Sequence, residues 1–224
     1  MLNYLKKIIS NQDTRQKFYQ RFKGSEKILE LGCGSGSNAI IVNSQFPLIE
    51  YHGIDILPDC EISNIINYKA VDLNNGSLPY PNEYFDIIIF THVIEHLNSP
   101  QNLGREINRV LKKRGMIYVE TPNWSTIFIP SFGINREQHN PFNFFDDPSH
   151  IKPWSKHGIY EFLSQNCHLN VERIGTVRNW FRIPFDFVFI FWGIFFRNRG
   201  KIITSFWNIY GWSIYGIGSK NFNK

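Results

Sequence analysis

Apolar positions along this chain fall into short runs separated by stretches of helical character. "KILEL", residues 27–31, reads as a strand, and residues 36–45 as the helix after it. "EYHGID" at 50–55 and "YKAVDL" at 68–73 predict a second and third strand. "YFDIIIFTHV", 84–93, is a nearly unbroken apolar run, as a parallel strand covered on both faces requires. The segment from Ser99 to Gly115 opens with Ser-Pro and closes on glycine, which are start and stop signals for a helix. "GMIYVETPN", 115–123, predicts a fifth strand, a helix follows near 155–165, and "HLNVERIGTV" and "YGWSIYGIGSK" add two late strands, read as an antiparallel pair. Residues 3–22 predict a polar leading helix. Strands alternating with helices imply an α/β fold: a doubly wound, mostly parallel sheet with helices on both faces.

Two stretches break this rhythm. Residues 122–154 form a long irregular insert rich in Pro, Asn, Phe and His, and loops of that length inside a compact domain are usually functional. Residues 185–196 are nearly all apolar, yet that run is well short of the ~20 residues a spanning helix needs. Arg178, Arg182, Arg197, Arg199 and Lys201 flank it, and Trp180, Trp192, Trp207 and Trp212 suit the depth of lipid headgroups. The segment is expected at a membrane surface, against a second copy of the chain, or packed on the sheet. The domain division is therefore 1–24 as the N-terminal helix, 25–178 with 208–220 as the ligand-binding domain carrying the insert 122–154, and 179–207 as an aromatic-rich interfacial or packing segment.

Composition narrows the function. A net charge of +5 without an arginine-rich run gives no nucleic-acid footprint. Cys33, Cys60 and Cys167 lack metal-ligand spacing and fit a reducing compartment, and the N-terminal segment lacks an apolar signal core, so a cytoplasmic location is expected, with the membrane's cytoplasmic face as a peripheral site. Aromatic residues make up 16% of the chain and crowd into its last fifth.

The chemistry starts at "LELGCGSGS". Gly32, Gly34 and Gly36 allow positive φ and leave no Cβ in the way of a ligand, and the following helix presents free N–H groups, so an anion is favoured there. The spacing is Glu-x-Gly-x-Gly-x-Gly, not the Gly-x-Gly-x-x-Gly of pyrophosphate binders. Glu30 suits an ammonium group, which together with a carboxylate points to an amino acid. Asp55 ends the second strand, where an acid can hold both hydroxyls of a ribose. Asp72 and Leu73 end the third and offer an acceptor and an N–H to an adenine edge. Amino acid, ribose and adenine together describe S-adenosylmethionine.

"LELGCGSGS", "YHGIDIL", "KAVDLNNGSLPYPNEYFDIIIFTHVIEHL" and "LGREINRVLKKRGMIYVETPN", in this order, resemble the class I S-adenosylmethionine-dependent methyltransferases over roughly residues 25–175. The resemblance implies a seven-stranded sheet of order 3-2-1-4-5-7-6 with the last strand antiparallel. It also implies cofactor contacts from Glu30, Gly32, Gly34, Gly36, Asp55, Ile56, Asp72, Leu73 and Thr91, with Thr91 and His92 near the reacting methyl. If the acceptor is a hydroxyl, a base should take its proton, and His92 and His150 are the catalytic candidates. His150 lies in "DDPSHIKPWS", which resembles a segment of methyltransferases from polysaccharide and glycolipid gene clusters. Glu95 and His96 read as pinning their loop by hydrogen bonds, and His52 and His168 as structural. A metal reading of His139, Asp146, Asp147 and His150 lacks the short spacings that fix ligands, so no metal is assigned. The expected reaction is O-methylation of a small or lipid-linked acceptor, glycan-like or quinone-like. A NAD-dependent oxidoreductase and a non-catalytic membrane-associated module are the alternatives, and oligomeric state is not legible.

Overall fold

The computed structural model describes residues 13–58, 66–129, 131 and 142–221. Its elements are α1 (Thr14–Tyr19), β1 (Lys27–Leu31), α2 (Ser37–Gln45), β2 (Glu50–Asp55), β3 (Asn67–Ala70), β4 (Phe85–Thr91), α3 (Pro100–Val110), β5 (Leu111–Pro122), α4 (Lys156–Glu161), β6 (Asn170–Thr176), α5 (Ile183–Phe195), α6 (Arg199–Tyr210) and β7 (Ser213–Ser219). Residues 3–12 of the expected leading helix, Cys60 and His139 lie outside the described residues.

The sheet order is β3-β2-β1-β4-β5-β7-β6. β1 to β5 run parallel, and β7 pairs antiparallel with both β5 and β6. β1 has β2 on one side and β4 on the other. The chain therefore leaves these neighbouring strands in opposite directions and opens a crevice at their carboxyl ends.

Alternation along β1 assigns its side chains to two layers. Leu29 and Leu31 join Phe90, Leu103 and Ile107 in the layer beneath α3 and α4. Ile28 packs in the opposite layer with Phe18, Val42, Ile87, Ile89 and Tyr118, beneath α1 and α2. Glu30 shares the parity of Ile28, so its carboxylate points into that second layer and is 1% exposed.

Several boundaries differ from expectation. β3 stops at Ala70, and Asp72 instead caps a one-turn helix, Leu73–Asn75, by accepting from Asn74 N. An aspartate that bonds its own downstream backbone competes with the ladder and ends the strand early. β5 begins at Leu111, four residues before Gly115, with a register shift against β4. The helix near 155–165 leaves regular α geometry after Glu161 and widens into a π turn at Phe162–Asn166.

The aromatic segment is an α-helical hairpin, α5–α6, inserted between β6 and β7. A Cβ on Gly193 would stand 2.7 Å from Ile202, which shows how closely the two helices approach. α6 turns Ile203 inward against Ile129, Phe142 and Trp212. α5 buries only Asp186 and Gly193, so packing as an intrachain core helix does not describe it. Its remaining face carries Phe185, Phe187, Val188, Phe191, Ile194 and Phe195, all more than half exposed. Trp180 and Trp192 are exposed too, but Trp212 is 5% exposed and stacks on Trp207, so that pair serves the insert and not a surface. Among the described residues no helix is long and apolar enough to cross a membrane.

Candidate active site

The glycine turn follows β1 at the crevice. Gly32, Gly34 and Gly36 all adopt positive φ, at 73°, 49° and 73°. The first two serve different needs. A Cβ on Gly32 would meet Val93 at 2.1 Å, so Gly32 lets the turn pack under the loop that follows β4. A Cβ on Gly34 would have nothing within 4 Å, so that position faces open space in which a ligand can approach the backbone. Gly34 N donates to Asp55 Oδ2 at 2.8 Å, and Leu57 N donates to Oδ1 at 3.2 Å. Asp55 thus braces the turn, while each of its oxygens keeps a second lone pair for another donor. Ile56 is 68% exposed beside it and offers apolar surface at the end of β2.

Glu30 lies beneath the turn and not in it. It accepts from Asn38 Nδ2 at 2.5 Å and from Tyr51 Oη at 2.8 Å. Burial raises its pKa against these two hydrogen bonds, to about 7. Asn38 also reaches Thr91 Oγ1 at 3.4 Å, linking the end of β1 to the end of β4.

The other half of the crevice is a cleft of about 1000 Å³ lined by residues from α1, the loop after β4, β5, the insert and the hairpin. Asn38 and His92 belong to its wall; Gly34, Asp55 and Asp72 do not. The expected cofactor residues therefore follow the carboxyl edge of β1, β2 and β3, and the cleft opens beside them over β4, β5 and β7.

His92, in left-handed conformation at φ 55°, holds Glu120 Oε1 at 3.2 Å through Nε2 and faces Glu95 Oε1 at 3.5 Å through Nδ1. Burial opposes its charge, but hydrogen bonds and the charges of Glu120 and Glu95 outweigh burial and raise its pKa to about 9. Arg15 pairs with the same Glu120 oxygen at 3.0 Å, and Tyr118 Oη donates to the other at 2.7 Å. Burial alone would raise the Glu120 pKa; Arg15 and His92 instead push it well below the carboxylate range. His92 is thus an imidazolium near neutral pH, occupied by two carboxylates, and in this arrangement has no lone pair with which to take a proton.

Glu95 and His96 clamp the loop after β4 to the insert. Glu95 O accepts from Ile151 N at 2.9 Å and Lys152 N at 3.2 Å, and Glu95 Oε2 accepts from Thr121 Oγ1 at 2.9 Å. His96 Nδ1 donates to Ser149 O at 3.1 Å. His150 Nδ1 donates to Phe144 O at 2.6 Å, and the imidazole packs on the Phe144 ring. The clamp brings His92, His96 and His150 to one cleft, whereas His52 is buried away from it against Glu50.

Sequence reasoning missed Arg15, Asn38 and Glu120. Arg15 sits in an unremarkable polar helix and gives no signal. Glu120 gave one: an acid within the apolar strand "MIYVE", two positions from Tyr118 and so on its face.

A glycine turn at a switch point, an acid at the end of the next strand and a side cleft are features of a doubly wound, ligand-binding α/β fold. A methyltransferase-domain family model matches residues 4–172, and the chain belongs to the class I S-adenosylmethionine-dependent methyltransferase family. It is 31% identical over 114 residues to a Mycobacterium tuberculosis protein named a probable S-adenosylmethionine-dependent methyltransferase, covering 48% of this chain and 41% of that one. The chain thus spans about two fifths of that relative's length. A S-adenosylmethionine-dependent methyltransferase from Archaeoglobus fulgidus shares the fold, with TM-score 0.58 and 19% identity over 96% of this chain and 94% of that one. A [4+2]-cyclase fits equally well, at TM-score 0.58 and 19% identity over 97% and 80%. The fold alone therefore does not carry the reaction.

Proposed function

We propose that this chain transfers the methyl group of S-adenosylmethionine to a hydroxyl of a small or lipid-linked acceptor. The observation that carries the reading is Gly34: left-handed, open to solvent and hydrogen-bonded to Asp55. It offers main chain to an amino-acid end within one turn of an acid suited to a ribose. In this reading Glu30 meets the ammonium through the Asn38 layer, Gly32 and Gly36 shape the turn, Ile56 covers the adenine, and Asp72 and Leu73 hold its edge. Thr91 and His92 flank the methyl.

Displacement at a sulfonium needs alignment above all, and orientation supplies ~7–11 kcal/mol. The acceptor lies in the side cleft and its hydroxyl is activated at His150, because a histidine whose Nδ1–H is spent on a carbonyl keeps a lone pair on Nε2. His92, as an imidazolium between carboxylates, positions and neutralises. Calorimetry tests the cofactor: S-adenosylhomocysteine should bind and NAD should not. Labelled-methyl transfer to lipid and glycan extracts tests the acceptor. His150→Ala should lower turnover by ~10²–10⁴-fold with S-adenosylhomocysteine affinity kept; unchanged turnover would remove His150 from the chemistry.

The lipid-linked acceptor and a peripheral seat on the membrane rest on α5. At ~1.5 Å per residue its 13 residues are too short to span but long enough to lie in an interface. Lys201 sits over the Trp192 ring at 3.6 Å, which sets a cation beside the apolar face. Full-length protein should co-sediment with anionic phosphatidylglycerol vesicles and lose this on Phe191→Ser with Phe195→Ser. Concentration-dependent dimerisation without vesicle binding would assign the face to a second copy.

A further inference from the structure

Three side chains with metal-ligating atoms meet at the clamp. One ligand atom from each of Glu95, His96 and His150 lies within 4.8 Å of the others. Glu95 is fully buried, and beyond the longer contact to His92 its Oε1 meets no donor among the described residues. The nearest positive charge to that oxygen is His92 Nδ1 at 3.5 Å, which is shared with Glu120 through the other ring nitrogen. A buried carboxylate oxygen that meets only one shared imidazole at that distance keeps lone pairs for a further cation.

The two imidazoles are set up alike. A carbonyl only accepts, so His96 Nδ1 must carry the hydrogen it gives to Ser149 O, and His150 Nδ1 the one it gives to Phe144 O. The Ser149 hydroxyl agrees: it donates to Asp147 Oδ1 and so receives from His96 Nδ1. In the neutral form both rings therefore carry their lone pair on Nε2, the tautomer that metal-ligating histidines take when their other nitrogen is tied to a carbonyl. His150 Nε2 stands 3.9 Å from Asp147 Oδ2, beyond hydrogen-bond length. The two segments carrying these ligands are locked together by Ile151 and Lys152 on the Glu95 carbonyl, so the constellation is held in place by main chain.

We propose that Glu95, His96 and His150 bind a borderline divalent cation, of the zinc or ferrous type, whose remaining positions open on the cleft and take acceptor oxygens. Two imidazoles and one carboxylate suit that class better than magnesium or calcium. This rests on the methyl-transfer reading and refines the part given to His150: its Nε2 acts through the cation. The cation lowers the pKa of the bound acceptor hydroxyl, whose proton leaves to water. The alkoxide oxygen then bonds to the sulfonium methyl as the carbon–sulfur bond breaks, and that electron pair stays on sulfur as a neutral thioether. The site differs from the sequence-based reading of His139, Asp146, Asp147 and His150, and shares only His150 with it.

The test uses tag-free full-length protein, stripped with a chelator and titrated with Co²⁺ while its visible absorption is followed, with Zn²⁺ as competitor. A single saturable equivalent is expected, weakened roughly tenfold or more by His96→Gln and by His150→Gln. S-adenosylhomocysteine binding, measured on the same samples, shows that the variants are folded. If His150→Gln disturbs packing on Phe144, His96→Gln carries the result alone. Absence of a saturable equivalent, or uptake indifferent to both substitutions, overturns the site. Loss of activity in His150→Gln without Co²⁺ uptake by wild type does the same and leaves His150 as a direct proton acceptor. Failure of S-adenosylhomocysteine to bind condemns the methyl-transfer reading and leaves the cation measurement standing.

Discussion

The two halves of the crevice are built from different materials. In the reading proposed above, the cofactor half is main chain: a bend of glycines whose shape is set by positive φ and braced by one carboxylate, Asp55. The acceptor half is side chain: Arg15, His92, Glu95 and Glu120 are drawn from α1, the loop after β4, and β5, and they interlock through ion pairs. A main-chain site depends on local residues, so one substitution should damage it locally. A network of charges built around two buried carboxylates, Glu95 and Glu120, depends on every member, so removing one leaves its partners uncompensated.

The largest effect should therefore lie in the network. Glu120→Ala strands Arg15 and His92 together and should cost about 3–5 kcal/mol in urea unfolding. A cost below ~1 kcal/mol would mean that water already satisfies those cations. Next come the glycines, which separate packing from binding. Gly32→Ala forces a methyl into Val93 as well as strain at positive φ, and should cost about 2–5 kcal/mol. Gly34→Ala meets open space, so only the backbone strain of about 1–2 kcal/mol remains, while S-adenosylhomocysteine affinity should fall because the methyl would enter the space proposed for the ligand. Equal destabilisation by both, or a Gly34→Ala protein with full affinity, would erase the distinction between the two positions.

The smallest effect is electrostatic. With its pKa raised from 6.5 to about 9, His92 stabilises the folded state fully below about pH 6.5, and the contribution fades as pH rises through about 9. Melting temperatures of wild type and His92→Gln should differ at pH 6 and converge above pH 9. The side chain is 39% exposed, so solvent screening keeps the difference small. A gap that widens with pH would contradict an imidazolium between Glu95 and Glu120.

The same contrast explains what could be read from the sequence. The strands and the glycine turn were legible because apolar runs and spaced glycines are local patterns, whereas the strand order followed from the family resemblance. The Asp72 turn ran against its strand pattern, since a side chain capping its own backbone overrides the apolar run. The network was not legible, because Arg15 and Glu120 are 105 positions apart in sequence yet pair at 3.0 Å. His150 was readable as a loop histidine of interest, but its Nδ1 bond to Phe144 O and its neighbours Glu95 and His96 exist only once the insert folds back onto β4.

A crystal structure with S-adenosylhomocysteine bound decides whether the glycine turn holds the cofactor. The amino-acid end is expected against the backbone of Gly34, the ribose hydroxyls on Asp55, and the thioether sulfur turned toward Thr91 and the cleft of His96 and His150. A ligand lying in the cleft over β5 with the glycine turn empty, or a turn that takes a diphosphate in its place, would contradict this placement.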